Sequence, residues 1–306
     1  MAGRSDQDWL RWGIAALLAA ILLAGCQHRS RSGSREWPTL DPLGRKDRLL
    51  IVAPHVDDEA LGAGAYAVAA LRNGAEVYVV YMTSGDCNRT SAEIMDFTLR
   101  PGVQDYLSEG SRRIREARSA MSRLGLQPDH LFFLGYPDRG IRPMLQRPDQ
   151  VIRSPGTGKT AVPYPVAVSP GAEYRLVNLE KDLRTVLDKT RPTVVVFPVP
   201  FDAHPDHSAS GRITLTVLED TGLKPRRLGY LIHARHFPSP FRLAPGHPLL
   251  PPQRFTDEKW ALFPLTPADE RAKKRVLIEY RSQRRDPYLF VLMDAFVRRN
   301  ELFVRM

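Results

Sequence analysis

The length, composition and charge of this chain are those of an ordinary globular protein. It has 306 residues, of which 43% are hydrophobic and 25% charged, so one large domain with a substantial core is expected. No internal repeat or extended low-complexity segment is evident, which excludes repeat and fibrous architectures. The net charge of +10 favours an anionic lipid or polysaccharide as partner, although a solvated basic surface has the same composition. No nucleic-acid motif accompanies the charge.

The first residues form a targeting segment rather than part of the fold. Residues 12–25 are an unbroken run of apolar and small residues, short for a membrane span, and arginines precede the run. The run ends in Leu23-Ala24-Gly25-Cys26, which resembles the lipobox of bacterial lipoproteins. The resemblance implies that residues 1–25 are a lipoprotein signal peptide and that Cys26 is lipidated. A plain signal peptide or a single-pass anchor is the alternative.

The lipobox leads to expectations about domains, location and cysteine chemistry. Residues 26–47 are predicted to be the lipidated cysteine and a flexible tether, and residues 48–306 a single α/β domain. Acyl chains at Cys26 would anchor the protein in the cell envelope, at the periplasmic face of the outer membrane if the organism is Gram-negative. Cys87 then has no intrachain disulfide partner, and we expect it to be a small buried residue rather than a nucleophile.

Apolar, β-branched runs alternate with amphipathic segments along most of the chain. The predicted strands are residues 49–53, 76–82, 131–134, 193–199 and 228–234, and the predicted helices between them are residues 59–73, 108–124, 177–189 and 208–219. This alternation predicts an α/β fold, a three-layer Rossmann-like sheet that is mostly parallel. Further on, residues 259–263 are predicted as an edge strand, and residues 267–281 and 287–299 as helices. The long segment 137–176 interrupts the alternation, and loops of that length are usually functional or disordered.

Two clusters of His and Asp directly follow two of the predicted strands. Pro54-His55-Val56-Asp57-Asp58-Glu59 follows the first strand, and His204-Pro205-Asp206-His207 follows the fourth. Ligands bind at the carboxyl ends of strands in open α/β sheets, so we expect the two clusters to meet there. Two histidines, one carboxylate and an open position suit a catalytic zinc, and the same set suits iron(II). Taken singly, the acidic run could be helix capping and the histidine pair structural, but together they predict a metal site.

These clusters resemble the motifs of the PIG-L/LmbE-like family of zinc-dependent N-acetylglucosamine deacetylases. That family carries A-H-P-D-D-E and then H-x-D-H, and this chain matches both motifs with Val56 where the family usually has Pro. Because proline stiffens such a turn, Val56 implies a less preorganised site without the loss of a ligand. Weaker features match in the same order along residues 49 to about 285. They are Thr83-Ser84-Gly85; Arg113, Glu116, Ala120 and Leu124-Gly125; Leu134-Gly135-Tyr136-Pro137-Asp138; and the segment from Tyr280 to Gln283.

The resemblance implies a role for each polar residue of the two motifs. Three residues would hold zinc: His55, Asp58 and His207. Asp57 would be the general base towards the attacking water. His204 would be a cation that stabilises the tetrahedral intermediate and assists departure of the amine, and Asp206 would orient His204.

Two residues outside these motifs are implied as substrate contacts, Arg113 and Asp138. Both would contact the sugar hydroxyls or the groups next to them. From the residues alone, Arg113 could equally form a surface ion pair with Glu116 on one helix, and Asp138 could be an ordinary turn residue after Pro137.

The function implied by the resemblance is removal of acetyl from an N-acetylglucosamine-type amino sugar. The substrate would be an envelope glycan, a glycolipid or a glycoside, and the products acetate and a free amine. Two alternatives stay open: a zinc amidase acting on a non-sugar acyl amide, and a glycan-binding lipoprotein without turnover. Asp57 and His204 count against the binding protein, since binding alone requires neither.

Overall fold

A seven-stranded sheet forms the centre of residues 36–306, the part of the chain that the computed structural model describes. Its strands are β1 (Arg48–Ala53), β2 (Glu76–Thr83), β3 (Leu131–Tyr136), β4 (Val194–Pro198), β5 (Arg226–Tyr230), β6 (Trp260–Pro264) and β7 (Asn300–Arg305). The strand order is β3-β2-β1-β4-β5-β7-β6. The first five strands in that order are parallel, and β7 is antiparallel to both of its neighbours.

Helices flank this sheet and leave its central strands buried. They are α1 (Asp58–Arg72), α2 (Arg89–Met95), α3 (Val103–Leu124), α4 (Ile141–Gln146), α5 (Leu176–Thr190), α6 (Pro205–Asp220), α7 (Pro267–Leu277), α8 (Arg281–Arg284) and α9 (Pro287–Ala295), with short 3₁₀ turns at Pro128–His130 and Gln253–Phe255. Every residue of β3 and β4 is buried. Strands covered on both faces require continuous apolar runs, which explains why the sequence reveals them so clearly. The predicted fold class, a mostly parallel α/β sheet, is confirmed.

The carboxyl-terminal strand β7 is the main difference from the predicted fold. The last predicted helix, residues 287–299, ends at Ala295, and the chain returns to the sheet between β5 and β6. Only three consecutive apolar residues, Leu302 to Val304, mark this strand in the sequence, and Glu301 beside them is buried. An apolar run this short, next to charged residues, is a weak strand signal, so sequence periodicity alone did not reveal it.

The folded unit begins at Pro38, ten residues before the predicted domain boundary. Leu40 and Leu43 are buried, and the Leu40 N–H donates to Leu262 O at 2.8 Å. Residues 38–47 therefore belong to the domain rather than to a flexible tether, because their leucines complete its core. The predicted signal peptide and Cys26 lie outside the described residues. Within residues 36–306, no helix is both long enough and apolar enough to cross a membrane.

A buried ion pair ties the carboxyl-terminal elements to the helix that starts in the first motif. Lys273 of α7 donates to Glu301 of β7 at 2.7 Å and to Leu61 O of α1 at 2.7 Å. The Glu301 carboxylate also accepts from the Ala65 and Tyr66 N–H groups of α1, at 2.9 and 2.7 Å. Both charges are about 1% exposed, and each is compensated by several hydrogen bonds, as a buried pair requires. This pair helps to hold α1 in place beneath the candidate site.

Candidate metal centre and active site

The two motifs lie at the carboxyl edge of two neighbouring strands. β1 ends at Ala53 and α1 begins at Asp58, so the first motif is the turn between them. β4 ends at Pro198, and α6 begins directly after His204, which is its N-cap residue. Because β1 and β4 are paired in the sheet, these two turns meet, as predicted from the sequence.

Three side-chain atoms from the two turns form a small triangle. His55 Nδ1 lies 3.2 Å from Asp58 Oδ2, His207 Nε2 lies 3.1 Å from the same oxygen, and the two nitrogens are 3.3 Å apart. Zinc binds nitrogen and oxygen at about 2.0–2.2 Å, so two ligands of a tetrahedral ion are about 3.3–3.5 Å apart. The triangle is close to that size, and the predicted ligands His55, Asp58 and His207 therefore fit one metal ion.

Carboxylates lie behind the outer ring nitrogen of both histidines. His55 Nε2 is 3.3 Å from Asp138 Oδ1 and 3.5 Å from Asp206 Oδ2, and His207 Nδ1 is 3.4 Å from Asp202 Oδ2. Neither nitrogen makes an aligned hydrogen bond within residues 36–306, so these are close electrostatic contacts. Carboxylates in this position fix the orientation of ligating histidines and raise their basicity.

The charges around the triangle favour bound positive charge. Burial raises the pKa of Asp58, but the imidazoles of His207 and His55 outweigh it and hold that pKa well below its usual range. Burial lowers the pKa of His207, but Asp58 and Asp202 outweigh it and raise that pKa to about 9. The carboxylates thus stabilise a cation at this position, whether a proton or a metal ion.

Asp57 has a strained backbone conformation beside the triangle. Its φ of +119° lies in a region that L residues rarely adopt. Its N–H donates to Glu59 Oε2 at 3.1 Å, and Glu59 also accepts a hydrogen bond from the Tyr280 hydroxyl. Burial raises the pKa of Asp57 to about 8, although Arg113 opposes the rise. Strain of this kind persists where neighbours over-determine it, and a carboxyl group that titrates near neutral pH suits proton transfer.

Arg113 lies under Asp57 rather than on the surface. It is 4% exposed and donates to Gly85 O at 3.0 Å, to Val56 O, and to Asp57 Oδ2 at 3.3 Å. Glu116, the partner in the surface alternative, instead accepts hydrogen bonds from the α8 region. Arg113 therefore holds the first motif in place, and its predicted contact with a sugar stays a prediction.

Asp138, the other predicted sugar contact, also has protein partners. Its carboxylate accepts from the Cys87 N–H at 3.0 Å and faces His55. Cys87 is buried, and burial followed by the charge of Asp138 raises the pKa of its thiol to about 12. The thiol is therefore protonated near neutral pH, which agrees with the expectation that Cys87 is a small buried residue.

The predicted contact between the Asp206 carboxylate and His204 needs correction. The His204 Nδ1 accepts from the backbone N–H of Asp206 at 3.3 Å, whereas the Asp206 carboxylate accepts from the Arg139 N–H at 2.5 Å and approaches His55. The side chain of an N-cap residue accepts from a backbone N–H of the first turn, and in α6 that N–H belongs to Asp206. Burial, followed by the imidazoles of His55 and His207, lowers the pKa of His204 to about 2. These contacts favour a neutral His204 ring with its proton on Nε2, and the cationic role implied by the resemblance stays a prediction.

Sequence reasoning missed two residues of this site, Asp202 and His233. Asp202 accepts from the backbone N–H groups of His204, Ile232 and His233, at 2.8, 3.0 and 3.1 Å. The ring of His233 packs 4.6 Å from that of His207. Both residues follow strands of the parallel sheet, so the rule that found the two motifs could also have found them.

A cavity of about 420 Å³ opens beside the triangle. Its polar lining includes His55, Asp57, His204 and Arg139. An apolar part of its lining comes from α9, with Tyr288, Leu289, Leu292 and Met293. The cavity thus joins a charged centre to an apolar wall, an arrangement typical of small-molecule sites.

The fold and the site together define an α/β protein with a two-histidine, one-carboxylate site at the carboxyl edge of its sheet. Residues 50–218, more than half of the chain, match the family PIG-L, described as GlcNAc-PI de-N-acetylase. The chain belongs to this family.

Curated relatives have deacetylase names. A 1D-myo-inositol 2-acetamido-2-deoxy-alpha-D-glucopyranoside deacetylase of Kribbella flavida is 32% identical over 169 residues, which are 54% of this chain and 52% of that protein. A diacetylchitobiose deacetylase of Thermococcus kodakarensis is 23% identical over 186 residues, 60% of this chain and 53% of that protein. The chain therefore spans about half the length of the curated relatives it matches.

Solved structures share the fold at lower identity. The N,N'-diacetylchitobiose deacetylase of Pyrococcus horikoshii has a TM-score of 0.50 and 20% identity, covering 85% of this chain and 84% of that one. The zinc inhibited form of teicoplanin deacetylase Orf2 has a TM-score of 0.54 and 19% identity, covering 85% and 98%. At these identities the likeness concerns the fold alone.

Proposed function

We propose that this protein is a zinc-dependent hydrolase that removes acetyl from an N-acetylglucosamine-type amino sugar. The observation that carries the proposal is the triangle of His55, Asp58 and His207 next to Asp57 in a cavity. The names of the relatives, a 2-acetamido-2-deoxy-glucopyranoside deacetylase and a diacetylchitobiose deacetylase, support the choice of substrate.

The three residues of the triangle would hold the metal ion. A zinc ion bound there would lower the pKa of a water molecule in its open position and polarise the acetyl carbonyl. Asp138, Asp206 and Asp202 keep the two histidine rings oriented from behind. Iron(II) suits the same donors, so the metal content has to be measured rather than assumed.

Asp57 is assigned the transfer of the proton. Its carboxylate takes a proton from the attacking water as the water oxygen bonds to the carbonyl carbon. The hydrogen bond from Arg113 and the contact between the Asp57 N–H and Glu59 hold the carboxylate in place. The same proton then passes to the amine nitrogen as the C–N bond breaks, which yields the free amine and acetic acid, and the acid ionises to acetate.

His204 is assigned to the carbonyl oxygen. Its Nδ1 is occupied by the Asp206 N–H, so Nε2 is the nitrogen available on the ring, and His204 lines the cavity. An N–H donor placed before the reaction stabilises the negative charge that develops on that oxygen. A neutral His204 performs this role without the orienting carboxylate inferred from the sequence.

The test is metal content together with acetate release from residues 27–306, which include the whole folded unit. The substrates are N-acetylglucosamine, its oligosaccharides and its glycosides, and the matched variant is Asp57→Asn. We expect about one zinc ion per chain in both proteins and a kcat about 10²–10⁴-fold lower in the variant. Absence of bound metal would contradict the proposal. Metal without acetate from any sugar would favour a non-sugar amide or a binding protein.

The envelope location is part of this proposal and depends on Cys26. A lipidated protein would meet envelope glycans, glycolipids or exported glycosides as substrates. Metabolic labelling with tritiated palmitate should mark the wild-type chain but not Cys26→Ser. Equal labelling of both chains would refute lipidation at this residue.

A further inference from the structure

A second cavity lies at the amino ends of the parallel strands, whereas the candidate metal centre lies at their carboxyl ends. It is a groove of about 600 Å³ where β5 begins at Arg226 and β7 ends at Arg305. These strands pair there, with Leu228 opposite Arg305, at the amino end of the parallel strands. His233, at the active-site edge, follows the carboxyl end of the same strand β5. The groove and the candidate active site therefore lie at opposite ends of the parallel strands.

Cations dominate the lining of this groove. Among the described residues that line it, one has an acidic side chain, Asp41, and four are basic: Lys224, Arg226, Arg227 and Arg305. We call it the basic groove. Lys224, Arg226 and Arg305 are exposed. An exposed group of like charges without neutralising partners attracts an anion of matching shape.

The partners of these cations leave most of their charge unneutralised. Arg226 donates to the Tyr66 hydroxyl at 3.3 Å and Arg305 to Thr39 O at 3.3 Å, and both acceptors are uncharged. Only Arg227 approaches a carboxylate, Glu219 at 3.8 Å. Within residues 36–306, Lys224 has no ion pair. Guanidinium groups present several donors in one plane, which suits phosphate oxygens.

We propose that the basic groove binds the phosphate headgroups of anionic phospholipids and sets this edge of the domain against a bilayer. Besides charge complementarity, the course of the chain supports this partner. The folded unit begins at Pro38, and Leu40 lines the groove. Cys26, the proposed acylation site, is twelve residues before Pro38, a distance that an extended chain spans in about 40 Å. The groove is thus within reach of the membrane to which Cys26 would be anchored.

This docking would direct the candidate active site away from the lipid. The five residues of β5 separate the two ends of the strand by about 16 Å. The cavity beside His55 opens at the carboxyl ends of the strands, away from the groove. A protein held in this way would act on glycans in the aqueous layer above the bilayer. That consequence depends on the proposed deacetylase function, whereas the binding of lipid by the groove does not.

The test is co-sedimentation of residues 27–306, which lack the acylation site, with vesicles. Vesicles of phosphatidylcholine alone are compared with vesicles containing 30% phosphatidylglycerol, at low salt and at 0.5 M NaCl. We expect binding only with phosphatidylglycerol, weakened by salt. The double variant Arg226→Glu/Arg305→Glu should bind the phosphatidylglycerol vesicles at least about tenfold more weakly than wild type.

A second double variant, Arg115→Glu/Arg212→Glu, is the matched control. It carries the same change in net charge at exposed residues outside the groove. We expect its vesicle binding to stay within about twofold of wild type. Equal weakening in both double variants would overturn the proposal, because net charge alone would then explain binding. Saturable binding of inorganic phosphate in the absence of vesicles, with no preference for phosphatidylglycerol, would also overturn it in favour of a soluble anion.

Acetate release separates this proposal from the proposed function. Both double variants should keep wild-type turnover of a soluble glycoside, since none of the four arginines lines the catalytic cavity. Loss of lipid binding with full turnover supports the groove. Lipid binding by a chain that has no deacetylase activity would support the groove and refute only the proposed function.

Discussion

Two regions of the chain build the cavity beside the candidate metal centre, and they contribute different side chains. Residues 50–218, which match the family, supply the triangle of ligands, Asp57 and His204. Residues 219–306 supply His233 and the apolar wall of α9. The first region is dense in buried charge that must be compensated group by group, whereas the wall requires only apolar surface. Under the proposed function, bond cleavage and the choice of substrate would therefore reside in separable parts of the molecule.

The buried ion pair between Lys273 and Glu301 qualifies this division. It reaches from the carboxyl-terminal region to the backbone of α1, which begins in the first motif. Tyr280 likewise donates to Glu59, and Glu59 accepts from the Asp57 N–H. The carboxyl-terminal region therefore supports the reacting groups from behind without providing any of the three proposed metal ligands.

The largest expected effect is the loss of metal on removing a ligand from the family-matched region. His55→Ala should retain less than about a tenth of the wild-type metal and lose at least about 10³-fold in activity, because a catalytic metal site needs three protein ligands. Metal is measured by plasma mass spectrometry and activity by acetate release on the same preparations.

His233→Ala is the matched control from the carboxyl-terminal region. His233 packs against His207, but His233 is not one of the three triangle residues, so its variant should keep about one metal ion per chain. If His233→Ala loses metal as completely as His55→Ala, the ligand set includes His233. The division between the two regions would then fail.

An intermediate effect is expected on the pH dependence of activity when Arg113, the cationic partner of Asp57, is removed. Arg113 lowers the pKa of Asp57, which burial raises to about 8. A general base works when deprotonated, so activity is lost as pH falls through its pKa. Arg113→Gln should raise that pKa and move the acid limb of the kcat profile to higher pH, by about one unit or more. The measurement is kcat from pH 5 to 10.

Arg112→Gln gives the control for this shift. Arg112 is the neighbouring arginine on α3, and it pairs with Asp96 and Glu109 instead of with the site. The acid limb of the kcat profile of Arg112→Gln should coincide with that of wild type. An unchanged limb in Arg113→Gln, or an equal shift in both variants, would count against Asp57 as the group that titrates.

The sequence predicted the strands whose burial on both faces requires a continuous apolar run, and the polar motifs that follow them. The strands β1 and β4 are covered on both faces, so their apolar runs were evident, and the motifs after them marked the edge where ligands meet. His233 and Asp202 carry no such pattern. Each is a single polar residue after a strand. Asp202 lies in the same turn as His207, and the pairing of β4 with β5 brings His233 to the His207 ring.

The direction of side chains was beyond the reach of spacing rules. The family resemblance implied that the Asp206 carboxylate orients His204, but the backbone N–H of Asp206 contacts the ring and its carboxylate accepts from Arg139. Arg113 likewise lies on an amphipathic helix, where a surface ion pair with Glu116 was an alternative from the sequence. Arg113 is instead buried against Asp57, and that contact spans 56 residues of sequence.

The smallest expected effect concerns the apolar wall and tests whether the carboxyl-terminal region selects substrates. Leu289 of α9 is half-buried and lines the cavity, so Leu289→Asn removes apolar contact without touching the reacting groups. For an octyl glycoside of N-acetylglucosamine, KM should rise roughly fourfold for each methylene that loses contact, with kcat unchanged. The methyl glycoside should be nearly unaffected. Phe290→Asn, on the same helix but outside the cavity, should leave both substrates at wild-type values. If Leu289→Asn instead lowers kcat for both glycosides equally, the wall positions the reacting groups, and substrate choice and chemistry are not separable in this protein.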